Sequence, residues 1–254
     1  MFVNNLDPVA FEFLSFQIRW YSLAYIFGFL IGWFYIKNFL IKDLEEKTII
    51  DDFISYLILG VIIGGRLGYV IFYNFFYYLS HPFEIFFIWQ GGMSFHGGLL
   101  GVCLATYIFT QKYNLKFFRY TDLISLAAPI GIFLGRVANF INSELYGRET
   151  DFFLSVNFIK VDDLYRHPSQ LYESCFEGVI LFIILNLLWK KFSEIPGVIS
   201  SLFLIFYSLF RFMIEFTREP DAHLGTLMNI FTYGQMLSIA FFISGAILFK
   251  LVKK

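Results

Sequence analysis

The chain is short of charge, proline and cysteine. Asp, Glu, Lys and Arg make up 15% of its 254 residues, where soluble globular domains carry about 25%. The net charge of −1 supplies no basic field of the kind that draws nucleic acid, so no nucleic-acid partner is expected. The two cysteines, Cys103 and Cys175, both fall in apolar runs, where a small buried hydrophobe is the plain reading. A disulfide framework is therefore not expected, and there is no Cys/His spacing of a metal site. The sequence also lacks Gly-x-Ser-x-Gly, a phosphate-binding P-loop and the Ser-His-Asp order of a hydrolase. No metal or cofactor is expected, and any thiol nucleophile must come with another substrate.

What is abundant is apolar. Hydrophobic residues make up 58% of the chain and aromatics 22%, with 36 Phe and a mean hydropathy of +0.66. The excess falls into repeated runs long enough to cross a hydrocarbon slab of roughly 30 Å at 1.5 Å per helical residue. The expected fold is all-α, a polytopic membrane protein of about seven spans in one domain, residues 1–254. The spans are placed near Trp20–Leu40, Phe53–Tyr73, Met93–Thr110, Asp122–Ala138, Gln170–Trp189, Val198–Phe216 and Met228–Leu248. Residues 1–17 read as an amphipathic lead-in, and Phe83–Trp89 as a surface or re-entrant segment too short to cross. There is no signal peptide with a small-residue cleavage site, and the first run is long and ends in Lys, so it is expected to remain as a span. The longest polar stretch, 139–167, forms an extramembrane head. Lysines gather on alternate loops (Lys37, Lys42, Lys47; Lys112, Lys116; Lys190, Lys191; the C-terminal lysines). Basic short loops are cytoplasmic, which places the N-terminus and the head outside and the C-terminus inside.

The chemistry concentrates at the end of the fourth span, in Gly135-Arg136-Val137-Ala138-Asn139-Phe140-Ile141-Asn142-Ser143-Glu144-Leu145-Tyr146-Gly147. Arg136, Asn139 and Asn142 stand at i, i+3 and i+6 on one helical stripe. Glu144 lies outside that stripe and is expected to be brought in by a turn that Gly147 permits. Arg66 and Arg211 are the other arginines in or at the ends of spans. A charge there costs at least about 2.5–3.5 kcal/mol on insertion scales, so it faces a polar interior. The structural alternative is ion pairing, as for Arg211 with Glu215 at i, i+4. The functional reading is an anion site, because guanidinium presents a planar fork to phosphate.

His96 sits among Gly91, Gly92, Gly97 and Gly98 at the outer start of the third span. Close helix packing explains the glycines equally well. The histidine reads either as a hydrogen-bonded side chain or as a proton acceptor near neutral pH. Tyr21, in Arg19-Trp20-Tyr21, reads as an interface anchor or as an inward hydroxyl. Gln170 and Glu173 in His167-Pro168-Ser169-Gln170-Leu171-Tyr172-Glu173 share a helical face and lead a polar stripe into the bundle. Arg218-Glu219-Pro220-Asp221 closes the outer edge of the sixth span.

Together these motifs, in this order, resemble the bacterial phosphatidylglycerol–prolipoprotein diacylglyceryl transferase family. They include Gly64-Gly65-Arg66-Leu67-Gly68-Tyr69, Ser94-Phe95-His96-Gly97-Gly98 and Arg211-x-x-x-Glu215-x-x-Arg218-x-Pro220-Asp221, and the resemblance covers essentially the whole chain. It implies a seven-span inner-membrane enzyme with a periplasmic head. Such an enzyme moves the diacylglyceryl group of phosphatidylglycerol onto the lipobox cysteine of a prolipoprotein and releases glycerol-1-phosphate, the first step of lipoprotein maturation. The residues matching positions important in the family are Tyr21, His96, Arg136, Asn139, Glu144, Gly147, Arg211 and Glu215. His96 is the candidate base, with Tyr21 the alternative. Arg136 and Arg211 would stabilise and hold the phosphate, with Asn139, Asn142, Arg66 and Arg218 as further contacts. Glu144 and Glu215 would orient the arginines. A lipid transporter or flippase is the rival class; it predicts inverted repeats, and the sequence has no clear ones. A non-catalytic scaffold is the second rival, and it has little need of a histidine set among glycines.

Overall fold

The computed structural model describes residues 2–13, 16–220, 226–227 and 231–253. The chain runs β1 (Phe2–Asn4), β2 (Val9–Phe13), β3 (Phe16–Arg19), α1 (Trp20–Tyr35), α2 (Leu44–Tyr73), α3 (Phe75–Ser80), α4 (Phe95–Lys112) and α5 (Phe117–Asn142). It continues with β4 (Val156–Phe158), β5 (Tyr165–Arg166), α6 (Ser169–Glu173), α7 (Leu181–Phe192), α8 (Val198–Ile214), β6 (Thr226–Leu227), β7 (Phe231–Thr232) and α9 (Tyr233–Val252). A π-helical stretch, Ile36–Leu40, extends α1, and a second, Ser174–Ile180, joins α6 to α7 into one continuous rod.

Among the described residues, five stretches are long and apolar enough to cross a membrane: Trp20–Leu40, Leu44–Tyr73, Phe117–Asn142, Ser169–Phe192 and Tyr233–Val252. Their outward faces carry exposed Ile, Leu and Phe, such as Leu59, Ile63 and Ile243, as lipid requires and water does not. The other two predicted spans are helices of 18 and 17 residues, α4 and α8. Segment Phe83–Trp89 forms short 3₁₀ turns, Pro82–Phe86 and Ile88–Gln90, rather than a crossing.

The purely helical expectation needs one amendment. The lead-in pairs as strands: β2 and β3 form a hairpin, while β1 lies parallel to β4, which pairs in turn with antiparallel β5. Short strands survive here because side chains secure them. The Asn4 amide donates to the Phe140 carbonyl at 2.7 Å, and Phe140, Val156 and Phe158 close a small apolar core.

The chain forms two compact units, Met1–Tyr35 with Asp122–Lys254, and Ile36–Thr121. In the second unit α2 and α4 lie backbone to backbone. Gly60, Gly64 and Gly68 face Gly97 and Gly101, and a Cβ on Gly68 would come within 2.6 Å of the Gly97 Cα. Below this seam Phe53, Phe109 and Tyr120 pack with ring centroids 4.8–5.5 Å apart, each almost fully buried. In the first unit the buried Asp122 carboxylate accepts from the Gly197 and Ser200 amides, each at 2.7 Å. It thus caps the start of α8, whose orphan N–H groups need an acceptor.

Candidate functional site

The last turn of α5 places Arg136, Asn139 and Asn142 on one stripe, as the spacing predicts. The helix runs on through Asn142, four residues beyond the expected end. The chain then turns through Ser143 and Leu145, both left-handed with φ of 58° and 56°. The Glu144 carboxylate swings back to accept from Asn139 at 3.2 Å and from Asn142 at 3.3 Å. The turn is fixed from outside by α6. Ser169 donates to the Leu145 carbonyl at 2.9 Å, and Gln170 donates to the Glu144 carbonyl at 2.6 Å.

Gly147 serves this arrangement differently from the expected turn. Its φ is not positive. It is squeezed between two strands of backbone, where a Cβ would lie 2.5 Å from the His167 carbonyl oxygen and 2.6 Å from that of Thr217. The Gly147 amide donates to that His167 carbonyl at 2.9 Å. Glycine is required for close approach, and the turn itself is made by Ser143 and Leu145.

Below the turn lies a buried ion-pair network. Glu173 and Glu177 have no exposed surface. Arg136 Nε is 3.2 Å from Glu173 Oε2, and its Nη2 is 3.8 Å from Glu177 Oε2. Arg211 Nη1 contacts Glu173 Oε1 and lies 3.9 Å from Glu177 Oε1. Arg211 Nη2 meets Glu215 Oε2 at 2.9 Å, the anticipated i, i+4 pair. Arg218 Nη1 approaches Glu173 Oε1 at 3.4 Å. Glu215 is held from the start of α9, because the Thr232 hydroxyl donates to its Oε1 at 2.9 Å. Burying this many charges is tolerable only because each has a partner of opposite sign.

The network corrects the assignment of Glu144 and adds two carboxylates to that of Glu215. Glu144 orients the asparagines, while Glu173, Glu177 and Glu215 orient the arginines. Glu173 appears in the sequence only as part of a polar stripe and Glu177 not at all. Their signal was present nonetheless: two carboxylates four residues apart inside an apolar run, where an acid always needs explaining.

Arg136 is the most exposed of the three network arginines. Its side chain is 19% exposed. Among the described residues it makes ion pairs but no hydrogen bond, so its N–H groups can turn to an incoming anion. Tyr21 lies within electrostatic reach of both Arg136 and Glu144, and its hydroxyl is 3.2 Å from that of Tyr25. Asp221 lies outside the described residues.

In the second unit, Arg66 has a task other than the anion contact expected of it. Its guanidinium donates to four backbone carbonyls, those of Glu84 (2.6 Å), Ile85 (2.8 Å), Gly91 (2.6 Å) and Gly92 (3.2 Å), and it stacks over Tyr78. The fork therefore clamps the loop that leads into α4. The Ser94 amide donates to the Gly65 carbonyl at 2.9 Å, and the Ser94 side chain caps the helix by accepting from Gly97. His96, two residues on, is exposed, with Phe95 as its ring neighbour at 5.4 Å.

Outside the spans, the head has its own charge chemistry. The Arg166 guanidinium, donating to Asp162 at 2.7 Å, holds that carboxyl below its ordinary value, and burial pushes the His167 imidazole down.

Comparison with known proteins agrees with the motifs. A family model described as prolipoprotein diacylglyceryl transferase matches residues 8–251. A protein of Rickettsia typhi named phosphatidylglycerol–prolipoprotein diacylglyceryl transferase is 47% identical over 252 residues, 98% of this chain and 97% of that relative. One of the same name from Ehrlichia ruminantium (strain Welgevonden) is 46% identical over 251 residues, 97% of each chain. At this identity and coverage, with the arginine–glutamate network and its asparagine turn in place, the chain belongs to the prolipoprotein diacylglyceryl transferase family.

Proposed function

We propose that the protein transfers the diacylglyceryl group of phosphatidylglycerol to the lipobox cysteine thiol of a prolipoprotein, forming a thioether and releasing glycerol-1-phosphate. The relatives' names supply the reaction class. The observation in this chain that carries the reading is Arg136, a partly exposed guanidinium held by buried carboxylates and making no hydrogen bond among the described residues. Such a group is preorganised for a phosphate.

In this reading the lipid phosphate enters against Arg136 and Arg211, with Arg218 behind them. Asn139 and Asn142, fixed by Glu144, meet the glycerol head. The thiolate is the nucleophile; its S–C bond forms as the glyceryl C–O bond breaks, and the two arginines take up the charge left on the phosphate. His96 accepts the thiol proton, with Tyr21 as the second candidate. Displacement at carbon needs positioning and charge stabilisation, and these side chains provide both. The chain sits in the bacterial inner membrane with seven spans in one domain, its N-terminus and the 139–167 head periplasmic and its C-terminus cytoplasmic. Both substrates carry apolar portions and enter laterally between helices.

The test is transfer from labelled phosphatidylglycerol to a lipobox peptide by purified protein. Arg136→Ala should fold and lose transfer, and His96→Gln should lose transfer while still binding lipid. Transfer by Arg136→Ala at the wild-type rate would remove Arg136 from the site. Lipid binding without peptide modification by the wild type would favour the transporter reading.

A further inference from the structure

Among the described residues the ion-pair network balances its charges: Arg136, Arg211 and Arg218 set against Glu173, Glu177 and Glu215, three against three. Arg148 makes no ion pair among the described residues; its Nε donates to the Arg218 carbonyl. Glu144, exposed at the turn and within electrostatic reach of Tyr21, adds one negative charge. A phosphodiester entering this network would bring its negative charge into a site with no positive excess among the described residues. The phosphate monoester that leaves would carry a second. Uncompensated charge in a low-dielectric interior is expensive, so the network must gain a proton when the lipid enters.

One member is built to take it. Glu173 Oε1 accepts from Arg211 and Arg218, and Glu215 Oε1 accepts from Thr232. Glu177 has no exposed surface, and neither of its oxygens accepts a hydrogen bond among the described residues. Its nearest cations stand off at 3.8 and 3.9 Å, outside hydrogen-bond range. It is the least compensated carboxylate in the cluster. It also sits in the π-helical stretch Ser174–Ile180, an irregularity that recurs at functional sites. The groups facing it are Arg136 from α5, Glu173 from α6, Arg211 and the Tyr207 hydroxyl from α8, and Arg218 just beyond α8.

We propose that Glu177 takes up one proton from solvent when a phospholipid phosphate enters the site, which converts a neutral arginine–glutamate network into one of net charge +1 matched to the phosphodiester. The carboxylate gains the proton and ceases to attract the charges of Arg136 and Arg211, which leaves their attraction to the phosphate; the proton returns to solvent when the phosphate departs. Glu177 is thus a positioning residue that acts through the two arginines. This rests on the transferase reading, and the experiment separates the two.

Calorimetry of phosphatidylglycerol binding to the detergent-solubilised full chain, run near pH 7 in two buffers of different ionisation enthalpy, counts the protons taken up. Wild type should take up about one and Glu177→Gln none, with the variant still binding lipid. An infrared difference spectrum on lipid addition should show a protonated-carboxyl stretch that is absent from Glu177→Gln. The apparent KM for lipid should rise up to about tenfold per pH unit on the alkaline side in wild type, the limit for one linked proton, and stay flat in Glu177→Gln. No uptake by wild type, or equal uptake by the variant, would overturn the proposal. So would a folded Glu177→Gln that no longer binds lipid, since the carboxylate would then be needed charged. If the variant does not fold, the wild-type proton count decides alone. A transfer assay on the same wild-type preparation reports separately on the reaction.

Discussion

Gln170 donates its side-chain amide to the backbone carbonyl of Glu144 at 2.6 Å, from a position with no exposed surface. This one bond ties the first turn of α6 to the turn that presents Glu144 to Asn139 and Asn142. Gln170→Leu keeps the volume and removes the donor. An unsatisfied carbonyl costs about 1–3 kcal/mol, so the thermal midpoint should fall. Glu144 should loosen its grip on the asparagines, and transfer should drop at least tenfold. Wild-type activity in Gln170→Leu would mean that the Ser169 bond to Leu145 alone sets the turn.

Much of this arrangement was legible in the sequence, and the reasons are physical. Span length follows from bilayer thickness, so the first span is found at Trp20–Leu40 as expected. Helical periodicity alone puts Arg136, Asn139 and Asn142 on one stripe. The partner of each arginine was harder to read. Arg211 and Glu215 are i, i+4 and announce themselves, but Glu173 reaches Arg136 and Arg211 across 37 and 38 residues of sequence, a choice made by tertiary packing. Glycine was ambiguous for the same reason. At Gly147 the need is space, at Gly64 and Gly68 it is helix contact, and a one-letter code does not distinguish these from a turn. The β1–β4 pairing was hidden because strands of three residues leave too few positions for a period of two to show.

The glycines of the second unit allow a paired test. A Cβ on Gly60 would meet the Gly101 carbonyl oxygen at 2.7 Å and the Ala105 methyl at 2.8 Å, whereas a Cβ on Gly98 has nothing nearer than the Val61 carbonyl at 3.8 Å. Gly60→Ala should force α2 and α4 apart and destabilise by about 1–3 kcal/mol. Gly98→Ala should be neutral or stabilising by up to about 1 kcal/mol, the propensity difference in a helix. Thermal unfolding in the same detergent should come earlier for Gly60→Ala and be unchanged or later for Gly98→Ala; equal shifts would mean that the contact face is assigned wrongly.

Acid should loosen the head in two steps. Burial holds His167 below its ordinary 6.5. The unfolded chain therefore takes the proton first, and stability that is full above pH 6.5 is lost as pH falls through the folded value. Arg166 holds Asp162 below 3.8. Its contribution is full above that pH and is lost only as pH falls further. Proteolysis within residues 148–164, followed against pH, should show both limbs. His167→Gln should remove the upper limb and Asp162→Asn the lower. Cleavage independent of pH between 7 and 5 would show that His167 is not linked to folding of the head.

Arg66→Lys distinguishes clamping from anion binding. If Arg66 held the lipid phosphate, lysine would keep the charge, and the change would fall mainly on KM for phosphatidylglycerol. In the structure the guanidinium spans carbonyls of Glu84, Ile85, Gly91 and Gly92 at once. An ammonium is a point donor that cannot reproduce that fork, and hydrogen bonds from a charged group contribute about 1.5–3 kcal/mol each. The loop before α4 should therefore loosen in Arg66→Lys, exposing Phe83–Gln90 to protease. Because that loop delivers Ser94 and His96 to the start of α4, kcat should fall at least tenfold while KM for lipid changes little. A raised KM with an intact loop would return Arg66 to the substrate.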